Sequence, residues 1–371
     1  MSYRVHYAYF LSAFLCLVGL LAFSCSYDQA NGSVGDQVFD SVAATTGTKQ
    51  AQIDSLNTQI PRIGYHKLVI STKRILDSIQ RTYAKAEPTF DMYRIVTLLN
   101  RKDLRYIRLG DTIVLPDSNV KDVRAYSIFP QYWAAADTIQ KIMVVSVKYQ
   151  AYACYENGKL VRFAATNSGE ERKPSLPGRY AANWKQRLRI SSLNSSWRLP
   201  FTVNIHQQAG TAFHQFDMPG RPVSHSCFRQ LMHDAQWLYE WIRVAQRDTA
   251  KHRLVPFSGT PVFVLDVFDF TRRRGGPWLD ATSNQDVTID LPADPMGMEE
   301  ALIPISQIPH GSRGSLRNVQ RYLTADSVLK ERGVIRKGVT LRESVNYNWI
   351  RAKRKAAMNA GGAAGQQSPG N

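Results

Sequence analysis

Residues 139–269 are written almost wholly in short β-branched and aromatic runs separated by turn residues, and no other feature constrains the fold as much. Residues 142–147 and 149–155 are two such runs. Glu156-Asn157-Gly158-Lys159 then joins the second run to Leu160-Val161-Arg162-Phe163 as an Asn-Gly hairpin. Further strands are predicted at residues 178–184, 201–205, 212–216 and 261–268. One helix interrupts them: Phe228, Leu231, Ala235, Leu238 and Trp241/Ile242 recur at helical spacing, which starts a helix directly after Cys227. The expected class is mainly β, a mixed sheet or sandwich with one helix following Cys227, preceded by a small α+β module.

The rest of the chain divides by composition. An apolar run over residues 8–23, preceded by Arg4 and His6, has the length of a signal peptide and is short for a membrane span. Export is therefore expected. The run ends Leu21-Ala22-Phe23-Ser24-Cys25, which resembles a bacterial lipoprotein box with Cys25 as the lipidated residue; an uncleaved anchor or plain secretion are the alternatives. On this reading residues 1–25 are a leader and the protein sits in the cell envelope or periplasm, tethered to the membrane through Cys25. Residues 26–60 are rich in Gly, Ser, Thr, Asp and Gln and read as a flexible linker.

Residues 61–118 hold two amphipathic stretches, then Leu99-Asn100-Arg101 and Leu109-Gly110-Asp111-Thr112-Ile113-Val114-Leu115-Pro116. That ending resembles the second half of a LysM module, a small glycan-binding fold, although the usual opening strand with its own Gly-Asp turn is missing from the pattern. A helical spacer ending in a strand is the alternative. Residues 119–272 form the β-rich domain. Residues 273–355 are an extension of unassigned role with one helix-like piece at 316–330, and residues 356–371, rich in Gly, Ala and Gln, are expected to be disordered.

With 47 Lys and Arg against 30 Asp and Glu, the net charge of +17 favours a polyanionic neighbourhood such as nucleic acid, an anionic membrane face or an acidic wall polymer. The excess is spread along the chain with no nucleic-acid-binding motif, so nucleic acid is not the expected partner. Only Cys154 and Cys227 of the four cysteines fall in the folded part, which excludes a disulfide framework.

The chemistry concentrates in Phe213-His214-Gln215-Phe216-Asp217-Met218-Pro219-Gly220-Arg221-Pro222-Val223-Ser224-His225-Ser226-Cys227-Phe228-Arg229. A cysteine at a helix start would have its thiolate stabilised by unpaired N–H groups, so Cys227 is expected to have a lowered pKa. His214, arriving on a separate strand, can take the thiol proton and later protonate a leaving amine. Backbone amides of Ser226 and Cys227 are candidates for an oxyanion hole, and Arg229 offers a planar fork for a carboxylate. A zinc site using His214, His225, Cys227 and His233 is the competing reading. No second cysteine pair or acidic ligand is spaced to complete it, so no metal is expected. Cys154 reads as a core residue, and His206 is a reserve candidate for the partner histidine.

This segment resembles the signature of the L,D-transpeptidase catalytic domain (YkuD-type), in which a histidine is followed by Ser-His-Gly-Cys-x-Arg/Asn. Ser175-Leu176-Pro177-Gly178 resembles the family's Thr-Pro-x-Gly turn, residues 234–241 its helix after the nucleophile, and Gly259-Thr260-Pro261-Val262 its closing strand. The resemblance implies that Cys227 is the acylated nucleophile, His214 its partner, His225 the histidine beside it, and Ser224, Ser226 and Arg229 substrate contacts. It implies no cofactor. It also implies peptidoglycan stem peptides as donor and acceptor, with release of D-Ala and formation of 3-3 cross-links. Hydrolysis, attachment of a protein lysine, or non-catalytic wall binding remain open. Ser226 stands where the family has glycine; if the backbone there has positive φ, a side chain costs on the order of 1 kcal/mol.

Overall fold

Alternation along the strands builds two sheets that share one core. The computed structural model describes Ala51, Ser55 and residues 60–272 and 275–364. The expected leader with Cys25 and nearly all of the linker lie outside the described residues.

The first sheet has five strands in the order β5-β4-β3-β13-β6: β3 (Ile142–Ser146), β4 (Ala151–Glu156), β5 (Lys159–Ala165), β6 (Gly178–Ala181) and β13 (Pro261–Val264). It is mixed, since β13 pairs parallel to β3 and antiparallel to β6. The hairpin between β4 and β5 turns at Asn157 and Gly158, with φ of 46° and 73°, as an Asn-Gly pair allows. The second sheet has four strands in the order β10-β9-β8-β7: β7 (Trp184–Ile190), β8 (Arg198–His206), β9 (Thr211–Gln215) and β10 (Phe228–Gln230). The protein is mainly β, with mixed sheets.

Period-two patterning explains why β3 is buried at every position. Met143 and Val145, with Tyr152 and Cys154 of β4, face a core shared with Val203, Phe213 and Phe228 of the second sheet. Val144, with Ala153 of β4 and Phe163 of β5, packs on the other side against Ile95, Leu98 and Val114 of the N-terminal module. Burying both faces of a central strand demands a near-continuous apolar run, which Ile142-Met143-Val144-Val145 supplies.

The N-terminal module is a β-α-α-β unit. Strands β1 (Tyr65–Val69) and β2 (Thr112–Pro116) pair antiparallel around helices α1 (Lys73–Thr82) and α2 (Phe90–Asn100). An opening strand is thus present where the sequence pattern lacked one: Tyr-His-Lys-Leu-Val has no flanking Gly-Asp turn to announce it. Buried Asn100 locks α2 to β2, donating from Nδ2 to the carbonyls of Val96 and Val114 and accepting from the Val114 amide. The module is fused to the β-rich part rather than strung before it. Arg101 is 2% exposed, donates to the carbonyl of Tyr149, and lies 5.4 Å over Phe163 and 6.0 Å over Trp278.

Helix α3 (Met232–Trp241) follows β10. The extension beyond residue 275 carries α4 (His310–Arg313), α5 (Val319–Glu331) and α6 (Tyr347–Ala364), and Ile303, Ile308, Leu329, Ile335 and Leu341 join the core between the sheets. Gly178 is where it docks. Its φ is +128°, and a Cβ there would lie 2.5 Å from the Cα of Ala301. The first part of the tail expected to be disordered is the end of α6, because alanines alternating with lysines and arginines are strong helix formers despite the two glycines that follow. No helix among the described residues is long and apolar enough to cross a membrane.

Candidate active site

Parallel pairing of β9 and β10 sets the site. In register, Phe228 lies beside Phe213 and Arg229 beside His214. The two phenyl rings stack 4.5 Å apart in the core, so by strand alternation Cys227, Arg229, Ala212 and His214 share the opposite face. Cys227, His214, His225, Ser224, Ser226 and Arg229 all line one cavity of about 270 Å³, together with Trp184, Trp197 and Phe216.

One expectation fails here. Cys227 is not in the first turn of a helix: it precedes the short strand β10, and α3 begins only at Met232. The apolar spacing from Phe228 onward misled because Phe228 is a core-facing strand residue and Leu231 is the residue before the helix. With no helix N-terminus beneath it, the half-buried thiol is raised rather than lowered. Burial pushes it up to about 11, against the smaller pull of the Ala212 amide and the Arg229 charge. The sulfur lies 3.7 Å from the carbonyl of Gly210, in the β8–β9 turn.

His214 is 4% exposed, and burial holds it down to about 4, with a hydrogen bond to Gln215 opposing and Arg229 adding to the effect. Its Nδ1 lies 3.0 Å from the Gln215 carbonyl. A carbonyl oxygen only accepts, so Nδ1 carries the proton and Nε2 of the neutral ring has a free lone pair. The resting pair is therefore thiol and imidazole, not thiolate and imidazolium. His225 is likewise held down to about 4 by burial and by the charges of Lys173, Arg229 and Arg342. Its Nε2 lies 3.2 Å from the hydroxyl of Tyr347, and its ring centroid 5.1 Å from that of Trp197.

Ser226 adopts φ +76°, the left-handed conformation that a glycine would take without strain. Two contacts hold it there: its hydroxyl lies 3.2 Å from that of Thr211, and its carbonyl accepts from Ser175 at 2.9 Å. Ser175 thereby ties the Ser-Leu-Pro-Gly turn to the cysteine loop. Ser224 is buried, and its hydroxyl donates to the carbonyl of Cys227, so it braces the loop as well as lining the cavity. Arg229 donates to the carbonyls of Asp217 and Val223 and lies 4.8 Å over the ring of Phe216, which fixes its plane at the cavity wall.

Other candidates lie elsewhere. His206, at the end of β8, accepts from the Ala209 amide and is not among the residues lining the cysteine cavity. His233 packs edge-on against Phe90 and Tyr93 and sits 3.2 Å from Asp234, away from Cys227. Cys154 is fully buried in β4. Residues that motif reading missed come from the extension and the β7–β8 loop: Gln307, Pro309, Ser344 and Trp197 line the cavity, and Tyr347 reaches His225. Trp197 and Tyr347 carry one sequence signal, aromatic character in otherwise polar segments, and Gln307, Pro309 and Ser344 carry none.

Residues 140–264 match the model of the family described as the L,D-transpeptidase catalytic domain (YkuD). Among solved structures, an L,D-transpeptidase from Mycobacterium smegmatis is 16% identical over 34% of this chain and 58% of its own, with a TM-score of 0.28. One from Stackebrandtia nassauensis is 16% identical over 52% of this chain and 77% of its own, with a TM-score of 0.30, and one from Mycobacterium tuberculosis H37Rv is 20% identical over 34% and 58%, with a TM-score of 0.27. At these scores the structural likenesses carry no argument of their own, and this chain spans little more than half of the first of them. No curated protein matches the chain. The family model coincides with the two sheets and the loop that joins His214 to Cys227, and the segment 140–264 is accordingly a member of the L,D-transpeptidase catalytic domain family.

Proposed function

We propose that this protein is a cysteine-dependent L,D-transpeptidase that acts on peptidoglycan stem peptides through an acyl-enzyme on Cys227. The observation that carries the reading is the convergence of Cys227, His214, His225 and Arg229 on one cavity within the segment that matches the family. His214, neutral at physiological pH, takes the thiol proton at Nε2 as the sulfur attacks the carbonyl joining an L-centre to terminal D-Ala. The amides of Ser226 and Cys227 are candidates to stabilise the oxyanion. Collapse of the tetrahedral intermediate passes the His214 proton to the leaving amine, and D-Ala departs. An acceptor amine of another stem then attacks the thioester and restores the thiol, giving a 3-3 cross-link.

Because the thiol is held near 11, the attack is assisted by the base rather than made by a standing thiolate. A thiol that is mostly protonated at rest reacts more slowly with oxidants than a standing thiolate would. Export and a lipid anchor at Cys25 are supported by the apolar run and the residues that end it.

The test is incubation of purified protein with disaccharide tetrapeptides and mass analysis of the products. A cross-linked dimer lacking one D-Ala is expected. Tripeptide alone would make the enzyme a carboxypeptidase, and unchanged substrate would remove the catalytic reading. On the same reading, exposure to a carbapenem should leave a single adduct on Cys227 and none on Cys154.

A further inference from the structure

Gln207 and Gln208, which border the cysteine cavity, also border a second and larger cavity of about 680 Å³. Its walls come from β6, from the hairpin of β11 (Arg247–Asp248) and β12 (Arg253–Leu254), and from the start of α5 in the extension. Five arginines line it, Arg179, Arg247, Arg253, Arg317 and Arg321, against a single carboxylate, Glu300. Four arginines elsewhere in the extension, Arg313, Arg332, Arg336 and Arg342, each meet an Asp or Glu, whereas Arg351 on α6 meets the side chains of Asn194 and Asn348 instead. Among the described residues, none of the five cavity arginines has a carboxylate within ion-pair distance.

Two of them are held in place without being neutralised. The guanidinium of Arg179 lies 4.8 Å over the ring of Phe257, and its Nε is buried with no hydrogen-bond partner. Arg321 donates from one nitrogen to the carbonyls of Glu300 and Ala301 at 2.5 and 3.2 Å, which orients its fork and leaves its charge uncompensated. The N-terminus of the thirteen-residue helix α5 adds to the field, because Asn318 gives it no side-chain cap and lines the same cavity. Gathering like charges in a concave wall costs folding free energy that an anionic ligand offsets, and planar guanidinium forks match the geometry of phosphate and carboxylate.

We propose that this cavity is a binding site, separate from Cys227, for a ligand carrying two or more phosphate or carboxylate groups. Both chemistries occur on envelope polymers, as phosphate along a polymer backbone or as carboxylates on a peptide stem, and two probes distinguish them. Full-length protein is titrated calorimetrically with inorganic pyrophosphate and, separately, with a soluble disaccharide tetrapeptide, at low and raised salt. The double variant Arg253→Gln/Arg317→Gln changes two exposed side chains with no ion pair in the structure, so the fold is retained and binding is read directly. At least one probe is expected to bind the wild type, to weaken as salt rises, and to bind the double variant tenfold or more weakly. Cys227→Ala should bind that probe as the wild type does. A response to pyrophosphate identifies the ligand as phosphate-bearing, and a response to the tetrapeptide alone identifies it as carboxylate-bearing. Failure of both probes to bind, or equal binding by the double variant, overturns the proposal.

Discussion

Ser226 shows how a single residue records the demands of the loop that leads into Cys227. Its φ of +76° places the following cysteine at the mouth of β10, and the conformation costs a side-chain-bearing residue about 1–2 kcal/mol. Ser226→Gly should therefore raise unfolding free energy by about 1 kcal/mol, the gain being reduced by loss of the hydroxyl contact to Thr211. Denaturant unfolding checks this; a destabilised glycine variant would mean that the Thr211 contact outweighs the strain. The need for glycine-like backbone here was legible in the sequence as a departure from the family pattern. The protonation of Cys227 was not, because desolvation depends on what the fold piles over the thiol, and spacing along the chain carries no record of that.

Among the elements, α3 is tied to the first sheet by a buried ion pair. Arg162 of β5 meets Asp234 in the first turn of α3, with side chains 13% and 6% exposed. Burial alone would raise the Asp234 carboxyl, but His233 and Arg162 together hold it far below the ordinary carboxylate range. Removing one partner leaves the other charge buried, so Arg162→Met should cost about 3–5 kcal/mol. A loss of unfolding free energy smaller than about 1 kcal/mol in denaturant titration would show that water reaches Asp234. Most strands of the first sheet and the Asn-Gly hairpin were legible because period-two alternation is written locally, whereas β7, Trp-Lys-Gln-Arg-Leu-Arg-Ile, was missed because it is mostly polar. The boundary of α3 was not: a three-residue strand feeding a helix offers apolar positions Phe228 and Leu231 that satisfy helical spacing by coincidence. The opening strand β1 was hidden for a related reason, since Tyr65, His66 and Lys67 do not alternate cleanly in a two-stranded ribbon.

At the scale of the molecule, the first sheet is covered on one face by the second sheet and the extension and on the other by the N-terminal module, and this could not be read from composition, which divided the chain at residues 118 and 272. Arg101 and Trp278 meet across some 177 positions of sequence, and nothing local marks such a contact. Shared burial also makes the protein sensitive to acid. His206, His214 and His225 are each held down to about 4, chiefly by burial. Above about pH 6.5 they are neutral folded or unfolded and contribute nothing to pH dependence. As pH falls from there through 4, the unfolded chain takes up protons that the folded one refuses, so stability declines. Melting temperature should drop between pH 7 and pH 4.5, and His206→Gln should flatten part of that slope, by an amount approaching about 3 kcal/mol at the acid end. An unchanged slope in the variant would place His206 in contact with solvent.

The central claim is that Cys227 forms an acyl-enzyme with His214 as its base, and intact mass after rapid mixing with a disaccharide tetrapeptide tests it most directly. Wild-type protein should gain one stem-peptide acyl group, lacking D-Ala, on Cys227. His214→Ala should acylate at least a hundredfold more slowly, and Cys227→Ala not at all. Acylation of Cys227→Ala, or an undiminished rate in His214→Ala, would contradict the account.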